Sequence, residues 1–502
     1  VAQNPLHHRR LSLPRRPAPQ WLASHMAAVE GGASAEELAA DCPYINEYCQ
    51  QRHRGVVRCS WLKLKGRILL SSRTFQAGEI IFREPPLHIV AEQPGNPAFD
   101  RLKELCAKYN KVFEYEPLWY WTALNSLKPS QLPPGEARLK PITADQQRKL
   151  LLLFHSDVTQ PSKASIELVK EMSLESHATA LELEHLLQVW ILNCFEHSDS
   201  PLGYSAYFMS SFMSHSCLPN AVWHYEGDNF VLRARSAIQD GDEITVSYLS
   251  EDSLLESTGS RRKHLRDSKH FECTCVRCGA DRDLSRGFKC AACAGVMYHN
   301  HFEDRPGIAV LAPCEACGRL SAASDFVGLF EQEKCFQSKL DECEQKMEKA
   351  GSDRSEIVKA LEEALGKAEG VLSQHFLLNK AWTLLSDLYS RSARRQRDAE
   401  SVVRKRIAFE EVAYPGLSGS RAWTLEGYAD MILRHKGVVL EPEVKVPSEA
   451  VAKTLAATVP RIYQDSLQIL RLMFGNRHDY FSAVHRKAIE LDVELKRFGC
   501  AA

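Results

Sequence analysis

Seven of the sixteen cysteines in this 502-residue chain stand at spacings that suit a metal ion. Cys290-x-x-Cys293 and Cys314-x-x-Cys317 are twenty residues apart, the arrangement in which two thiolate pairs close on one tetrahedral zinc. His299 and His301 lie between the pairs and are not needed as ligands. Cys273-x-Cys275-x-x-Cys278 brings three thiolates to one end of a loop, and a tetrahedral ion needs a fourth. No positively charged start followed by an apolar run precedes them, so reduced thiols and zinc are expected rather than disulfides. A second concentration of polar side chains is Ser214-His215-Ser216-Cys217-Leu218-Pro219-Asn220. Its proline excludes a regular helix or a central strand. Alternating stretches at 221–225 and 230–235 flank Glu226-Gly227-Asp228-Asn229 and predict a hairpin. Asp240-Gly241 reads as a further turn, and residues 244–248 as a short strand ending on Tyr248.

In their order and spacing these residues resemble a known family. His215-Ser216-Cys217-Leu218-Pro219-Asn220, followed by Gly241-Asp242-Glu243-Ile244-Thr245-Val246-Ser247-Tyr248, is similar to the core of the SET-domain lysine methyltransferases. Phe271-Glu272-Cys273-Thr274-Cys275-Val276-Arg277-Cys278 resembles their post-SET zinc segment. Lys65-Gly66-Arg67 and Ala77-Gly78-Glu79-Ile80-Ile81 resemble their N-terminal strands. The helical C-terminal part points, within the family, to the SET-and-MYND group. That group carries a finger of seven cysteines and a histidine where residues 96–184 of this chain hold only Cys106, so the finger cannot form here. The missing finger and the added cysteine pairs also resemble the apical-complex lysine methyltransferases of motile parasites.

The resemblance implies an α+β protein. A β-rich SET fold would carry a C-terminal segment threaded under a loop as a pseudoknot, with a helical insert, a post-SET zinc site, an extra zinc ribbon and a C-terminal α-helical domain. It implies S-adenosylmethionine as methyl donor, at Lys65, Gly66, Arg67, Asn193, Ser214, His215, Asn220 and Phe271. Lys65 and Arg67 are the candidates to meet the donor's carboxylate. Tyr248 is implied as the catalytic hydroxyl, and Phe195 with Tyr248 as the lining of the lysine channel. Cys217 is implied as the fourth ligand beside Cys273, Cys275 and Cys278, which gives two structural zinc ions in all. Three positions depart from the family: Ile68 and Ser214 stand for a glycine and an asparagine, and Lys269 for a tyrosine. Serine keeps one hydrogen-bond donor and loses the amide pair.

Methyl transfer to an amine is an in-line displacement at carbon, so positioning supplies most of the catalysis. The amine must be neutral, and a narrow aromatic channel lowers its pKa by desolvation. Carbonyl oxygens and a tyrosine hydroxyl can hold the methyl group by weak C–H···O contacts.

The elements that must position these groups follow from pattern. Residues 1–45, rich in Arg, Pro, Ala and Ser, read as a flexible basic tail. Val1 is not an initiator methionine, so upstream sequence is expected. Residues 46–95 read as the N-terminal SET strands and 96–184 as a helical insertion with helices near 102–107 and 118–124. By the resemblance, residues 185–250 are expected to form the SET core, opened by a helix over 186–195, and 251–285 the post-SET zinc segment. A zinc ribbon spans 286–325. From 326 to 502 the spacing predicts helices over 336–347, 355–372, 377–390, 397–413, 423–435, 450–473 and 480–498. Lys380-Ala381-Trp382-Thr383-Leu384 recurs as Arg421-Ala422-Trp423-Thr424-Leu425, which suggests stacked helix pairs of tetratricopeptide (TPR) type.

A net charge of −1 gives no global electrostatic case for nucleic acid, and no apolar run is long enough for a membrane helix. The expected partners are a protein substrate presenting a lysine, histone or otherwise, and proteins held by the helical domain. The expected location is a reducing intracellular compartment, cytoplasmic or nuclear. The competing expectation is a SET-fold scaffold with weak or no catalysis, which Ser214 and Lys269 favour.

Overall fold

The computed structural model describes residues 41–63, 65–136, 138–156, 158–300, 310–320, 323–349 and 353–500. The expected tail, up to residue 40, and His301 lie outside the described residues. The chain divides into two compact units, neither of them contiguous. The first comprises Val1–Ser214, Asn220–Val246 and Asp267–Lys269. The second comprises His215–Pro219, Ser247–Arg266 and His270–Ala502.

In the first unit a helix, α1 (Cys42–His53), occupies residues that the sequence assigned partly to the tail. Pro43 opens it, and Ile45 and Cys49 are fully buried, so its apolar residues serve the core. Strands β1 (Val57–Leu62) and β2 (Gly66–Ser71) form an antiparallel hairpin that pairs Leu62 with Gly66. Gly66 has φ 72°, a left-handed conformation that costs glycine nothing. Ile68, standing for the family's glycine, is not in the turn: it pairs with Ser60 and is 1% exposed.

Strands β3 (Ile80–Glu84) and β4 (His88–Ala91) lead into five helices: α2 (Pro97–Lys108), α3 (Pro117–Leu124), α4 (Ala144–Leu151), α5 (Lys163–Glu171) and α6 (Ala180–Asn193). Their starts are written locally. Asn96, Thr143, Ser162 and Thr179 accept hydrogen bonds from the first-turn amides, and Thr179 with Glu182 closes a capping box. α6 stops at Asn193, so the helix expected to run to 195 ends two residues earlier and Phe195 begins a strand.

β5 (Phe195–Asp199) and β6 (Leu202–Ala206) complete a three-stranded sheet in the order β4-β6-β5. β7 (Ala221–Glu226) and β8 (Asn229–Ala234) form the expected hairpin, in a sheet ordered β3-β8-β7. Gly227, at φ 59°, takes the first position of its two-residue turn. Glu84, wholly buried at the end of β3, accepts hydrogen bonds from the amides of Phe208, Met209 and Ser210 and from the Ser210 hydroxyl. These four donors satisfy a carboxylate whose pKa burial raises. Trp119, Trp121 and Trp190 fill the core of this unit.

The second unit holds both four-cysteine groups and the C-terminal helices. After α7 (Thr258–Lys269), whose last three residues belong to the first unit, come β9 (Asp283–Lys289) and β10 (Val296–His299). The helices are α8 (Ala323–Glu348), α9 (Arg354–Ala368), α10 (Phe376–Ser390), α11 (Gln396–Ala413), α12 (Gly419–His435), α13 (Glu449–Ala456), α14 (Val459–Phe474) and α15 (Asp479–Arg497). Two expectations need correction. The helix expected over 355–372 ends at Ala368, and β11 (Leu372–His375) adds to the ribbon in the order β10-β9-β11. Buried His375 fixes that strand: its Nδ1 caps α10 at Leu377 N, and its Nε2 lies 3.1 Å from Glu333, which Arg286 of β9 grips with two nitrogens. The helix expected over 450–473 is two, because Pro460 starts α14 afresh. Trp382 and Trp423 of the repeated pentapeptide lie on α10 and α12, which pack on α11 and α14 respectively. Among the described residues no helix is long and apolar enough to cross a membrane.

Candidate active site and metal centres

His215, Tyr248 and Phe271 meet in the second unit. The His215 ring lies 5.3 Å from that of Tyr248 and 5.9 Å from that of Phe271, and the two other rings stand edge to face at 6.3 Å. The amide of Tyr248 donates to His215 Nδ1 at 2.9 Å, which leaves the ring proton on Nε2, 3.2 Å from the sulfur of Cys217. Burial pushes the imidazole pKa down to about 4, so the ring is neutral and acts as a brace between backbone and sulfur. Tyr248 is 43% exposed, so its ring faces solvent on one side and the His215–Phe271 pair on the other.

Below this cluster Cys217, Cys273, Cys275 and Cys278 bring their sulfurs within 4.8 Å of one another. Cys217 and Cys278 are 3.5 Å apart, too far for a disulfide, and all four thiols are free. Sulfurs on a zinc tetrahedron with Zn–S of about 2.3 Å stand about 3.8 Å apart, so the group fits one zinc ion. The amide of Cys217 donates to the Cys275 sulfur, and Arg261, wholly buried, donates to Cys278. Four thiolates on a dication leave a net charge near −2, and the guanidinium offsets part of it without water.

Arg277, between Cys275 and Cys278, is the hub of this region. Its Nη1 donates to the carbonyls of Leu254 at 2.6 Å and Cys217 at 3.3 Å, and its Nη2 to the carbonyl of Ala413 at 2.8 Å. Burial, with Arg261 nearby, pulls its pKa down to about 10. Sequence reasoning missed both arginines. Arg261 carries no local signal in the sequence, and only the position of Arg277 inside the cysteine motif could have marked it.

The second group is Cys290, Cys293, Cys314 and Cys317, also within 4.8 Å. Cys290 and Cys317 are 3.8 Å apart and Cys293 and Cys314 3.5 Å. The amides of Ala292 and Gly295 donate to the sulfurs of Cys290 and Cys293. A side chain on Gly295 would place Cβ 2.9 Å from the Cys314 sulfur. Cys293 and Cys317 are exposed. His299 is buried on β10, with its ring 5.8 Å from Phe330.

The remaining candidates belong to the first unit. Lys65 pairs with Glu243 at 2.6 Å. Arg67 donates to Asp41 at 2.8 Å and to the carbonyl of Leu152 at 2.6 Å. Both basic side chains expected to meet a donor carboxylate are thus engaged by groups of the protein. Asn193 donates to the carbonyls of Phe154 and Val189, both at 2.7 Å. Asn220 braces a turn: its amide nitrogen donates to Glu243 O at 2.9 Å and its oxygen accepts from Thr245 N at 2.9 Å. Phe195 sits edge-on to Tyr207, Trp223 and Phe230 in an aromatic cluster. Ser214 is half-buried where the chain leaves the first unit. Lys269 reaches toward the Leu192 carbonyl at 3.4 Å, and burial pulls its pKa down.

Parts of the chain are similar to known proteins. Residues 66–249 match the SET domain family model. The histone-lysine N-methyltransferase ASHR1 of Arabidopsis thaliana is 26% identical over 309 residues, covering 50% of this chain and 62% of that protein. The histone-lysine N-methyltransferase SMYD3 of Homo sapiens is 40% identical over 89 residues, 17% of this chain and 20% of that one. The protein-lysine N-trimethyltransferase SMYD5 of Mus musculus is 39% identical over 83 residues, 16% and 20% respectively. The matched stretches therefore span less than two thirds of each relative's length. The chain carries a SET domain of the kind found in SMYD- and ASHR-type proteins.

Proposed function

We propose that this SET domain makes the chain an S-adenosylmethionine-dependent protein-lysine N-methyltransferase with Tyr248 as its catalytic hydroxyl. The observation that carries the reading is the packing of Tyr248 and Phe271 on a His215 ring braced against a zinc-ligand cysteine. The donor supplies an electrophilic methyl group on a sulfonium sulfur. The aromatic faces of Tyr248 and Phe271 exclude water from an approaching lysine and favour its neutral amine. The Tyr248 oxygen would hold the methyl hydrogens of a bound donor by weak C–H···O contacts. Neutral His215 orients the backbone of Tyr248 and takes no proton. Lys65, Gly66, Arg67, Asn193, Ser214, His215, Asn220 and Phe271 are the proposed donor contacts, with Phe195 a further channel residue. The main chain at Gly66 is favoured over the side chains of Lys65 and Arg67, because both are already paired. The threaded segment is read at 214–220 and 243–248, where Asn220 clamps the turn before Tyr248. The TPR-like helices are proposed to hold the protein that presents the lysine.

The test is transfer of labelled methyl from S-adenosylmethionine to lysines in a protein mixture, comparing the zinc-loaded chain with a folded Tyr248→Phe variant. Transfer that falls at least about 100-fold in the variant supports the reading. A wild-type chain that neither binds the donor nor transfers methyl groups overturns it. The scaffold reading, which the pairing of Lys65 and Arg67 favours, then replaces it.

A further inference from the structure

Tyr248 is followed by a short segment, 249–255, with no long regular element to hold it: a Ser247 turn and one 3-10 turn over Ser253–Leu255. Its two acidic side chains reach the first turn of α12. Glu251 Oε2 accepts from the amide of Gly419 at 2.8 Å, and Asp252 Oδ1 accepts from the Ser420 hydroxyl. Negative charge is favoured there, because the first helical amides lack partners inside the helix. Gly419 leaves room for this approach: a Cβ would stand 2.7 Å from the Trp423 ring and 3.1 Å from Glu251 Cγ.

The far end of the segment is gripped by the same turn. Leu254 and Leu255 are buried, and Arg277 joins the Leu254 carbonyl to the Ala413 carbonyl at the end of α11. The Arg277 guanidinium also lies 5.2 Å from the ring centre of Tyr414, the next residue. The α11–α12 connection, residues 413–420, thus holds the loop behind Tyr248 at two places. The Tyr248 ring packs on one side against His215 and Phe271 and is exposed on the other, so the main chain that carries it helps to set its direction.

We infer that the α11–α12 turn is the positioning element of the methyl-transfer site, with Glu251, Asp252 and Ser420 as positioning residues for Tyr248. This rests on the methyltransferase reading, in which a misplacement of about 1 Å costs about 100-fold in rate. Asp252→Asn keeps an oxygen that accepts from Ser420, and Asp252→Ala does not.

The experiment compares the full, zinc-loaded chain with Asp252→Ala, Asp252→Asn, Ser420→Ala and the Asp252→Ala/Ser420→Ala double variant. Kinetics are measured alongside hydrogen exchange of the peptide spanning 248–255. Asp252→Ala and Ser420→Ala are expected to lower kcat about tenfold, with the donor KM held within about twofold. Asp252→Asn recovers most of the rate, and the double variant is no slower than the slower single. Exchange in 248–255 rises about tenfold in both alanine variants and is unchanged in the ribbon peptides. Unchanged exchange in 248–255, or faster exchange spread over the whole unit, overturns the inference. A wild-type chain that neither binds the donor nor transfers a methyl group overturns the functional reading instead. In that case faster exchange confined to 248–255 still supports the structural coupling and its absence refutes it.

Discussion

The two four-cysteine groups offer the same ligands in opposite settings. Cys290, Cys293, Cys314 and Cys317 come from two local turns, with two of the four sulfur-bearing residues exposed. Water and nearby amides can carry the excess charge of such a site. Cys217, Cys273, Cys275 and Cys278 draw one ligand from a distant part of the chain, and three of the four are buried. Their charge is met by a wholly buried arginine. The first arrangement folds a ribbon. The second ties the Tyr248–His215 cluster to the protein through Cys217. Equal metal chemistry would thus serve architecture in one place and the proposed reaction in the other.

The largest expected effect separates them directly. Cys217→Ser and Cys293→Ser should each release one zinc ion, measured by elemental analysis. Cys217→Ser is expected to lower methyl transfer at least about 100-fold and Cys293→Ser to leave it within about threefold. Equal losses would break the comparison. The next effect is on stability, followed by urea unfolding. Arg261→Met removes the buried cation beside Cys278 and is expected to cost about 3–5 kcal/mol. Arg282→Met, beside the ribbon, breaks an exposed pair with Glu315 and should cost less than about 1 kcal/mol. Between these two in size is Gly295→Ala, whose Cβ would crowd the Cys314 sulfur and Ala316. It is expected to lower stability by about 1–3 kcal/mol, with methyl transfer unchanged.

The same contrast explains what could be read in advance. The ribbon cysteines were legible from spacing alone, because two C-x-x-C turns fix their own geometry. Cys217 was legible only through the family motif, since nothing local points from residue 217 to the loop at 273–278. The hairpin around Gly227 and most C-terminal helices followed from turn residues and periodicity. Strand β11 did not, because Leu372 continues a helical apolar pattern and only pairing with β9 makes it a strand. The partners of Lys65 and Arg67 were equally out of reach: Glu243 lies 178 residues away from Lys65 and Asp41 lies 26 from Arg67, and charge alone names no partner. Arg261 and Arg277 were hidden for the opposite reason, since arginine is expected in water and here burial gives it its role.

The wide separation of Cys217 from the other sulfurs has a consequence during synthesis. Cys273, the first of the other three, follows Cys217 by 56 residues, which a ribosome adding about 5–20 residues per second completes in about 3–11 s. For that interval the Cys217 thiol has none of its three partner sulfurs, and His215 and Tyr248 lack the clasp that joins them to the later chain. Newly made protein should therefore depend on zinc at birth more than finished protein does in service. Cells starved of the metal would lose yield well before the finished protein lost its zinc.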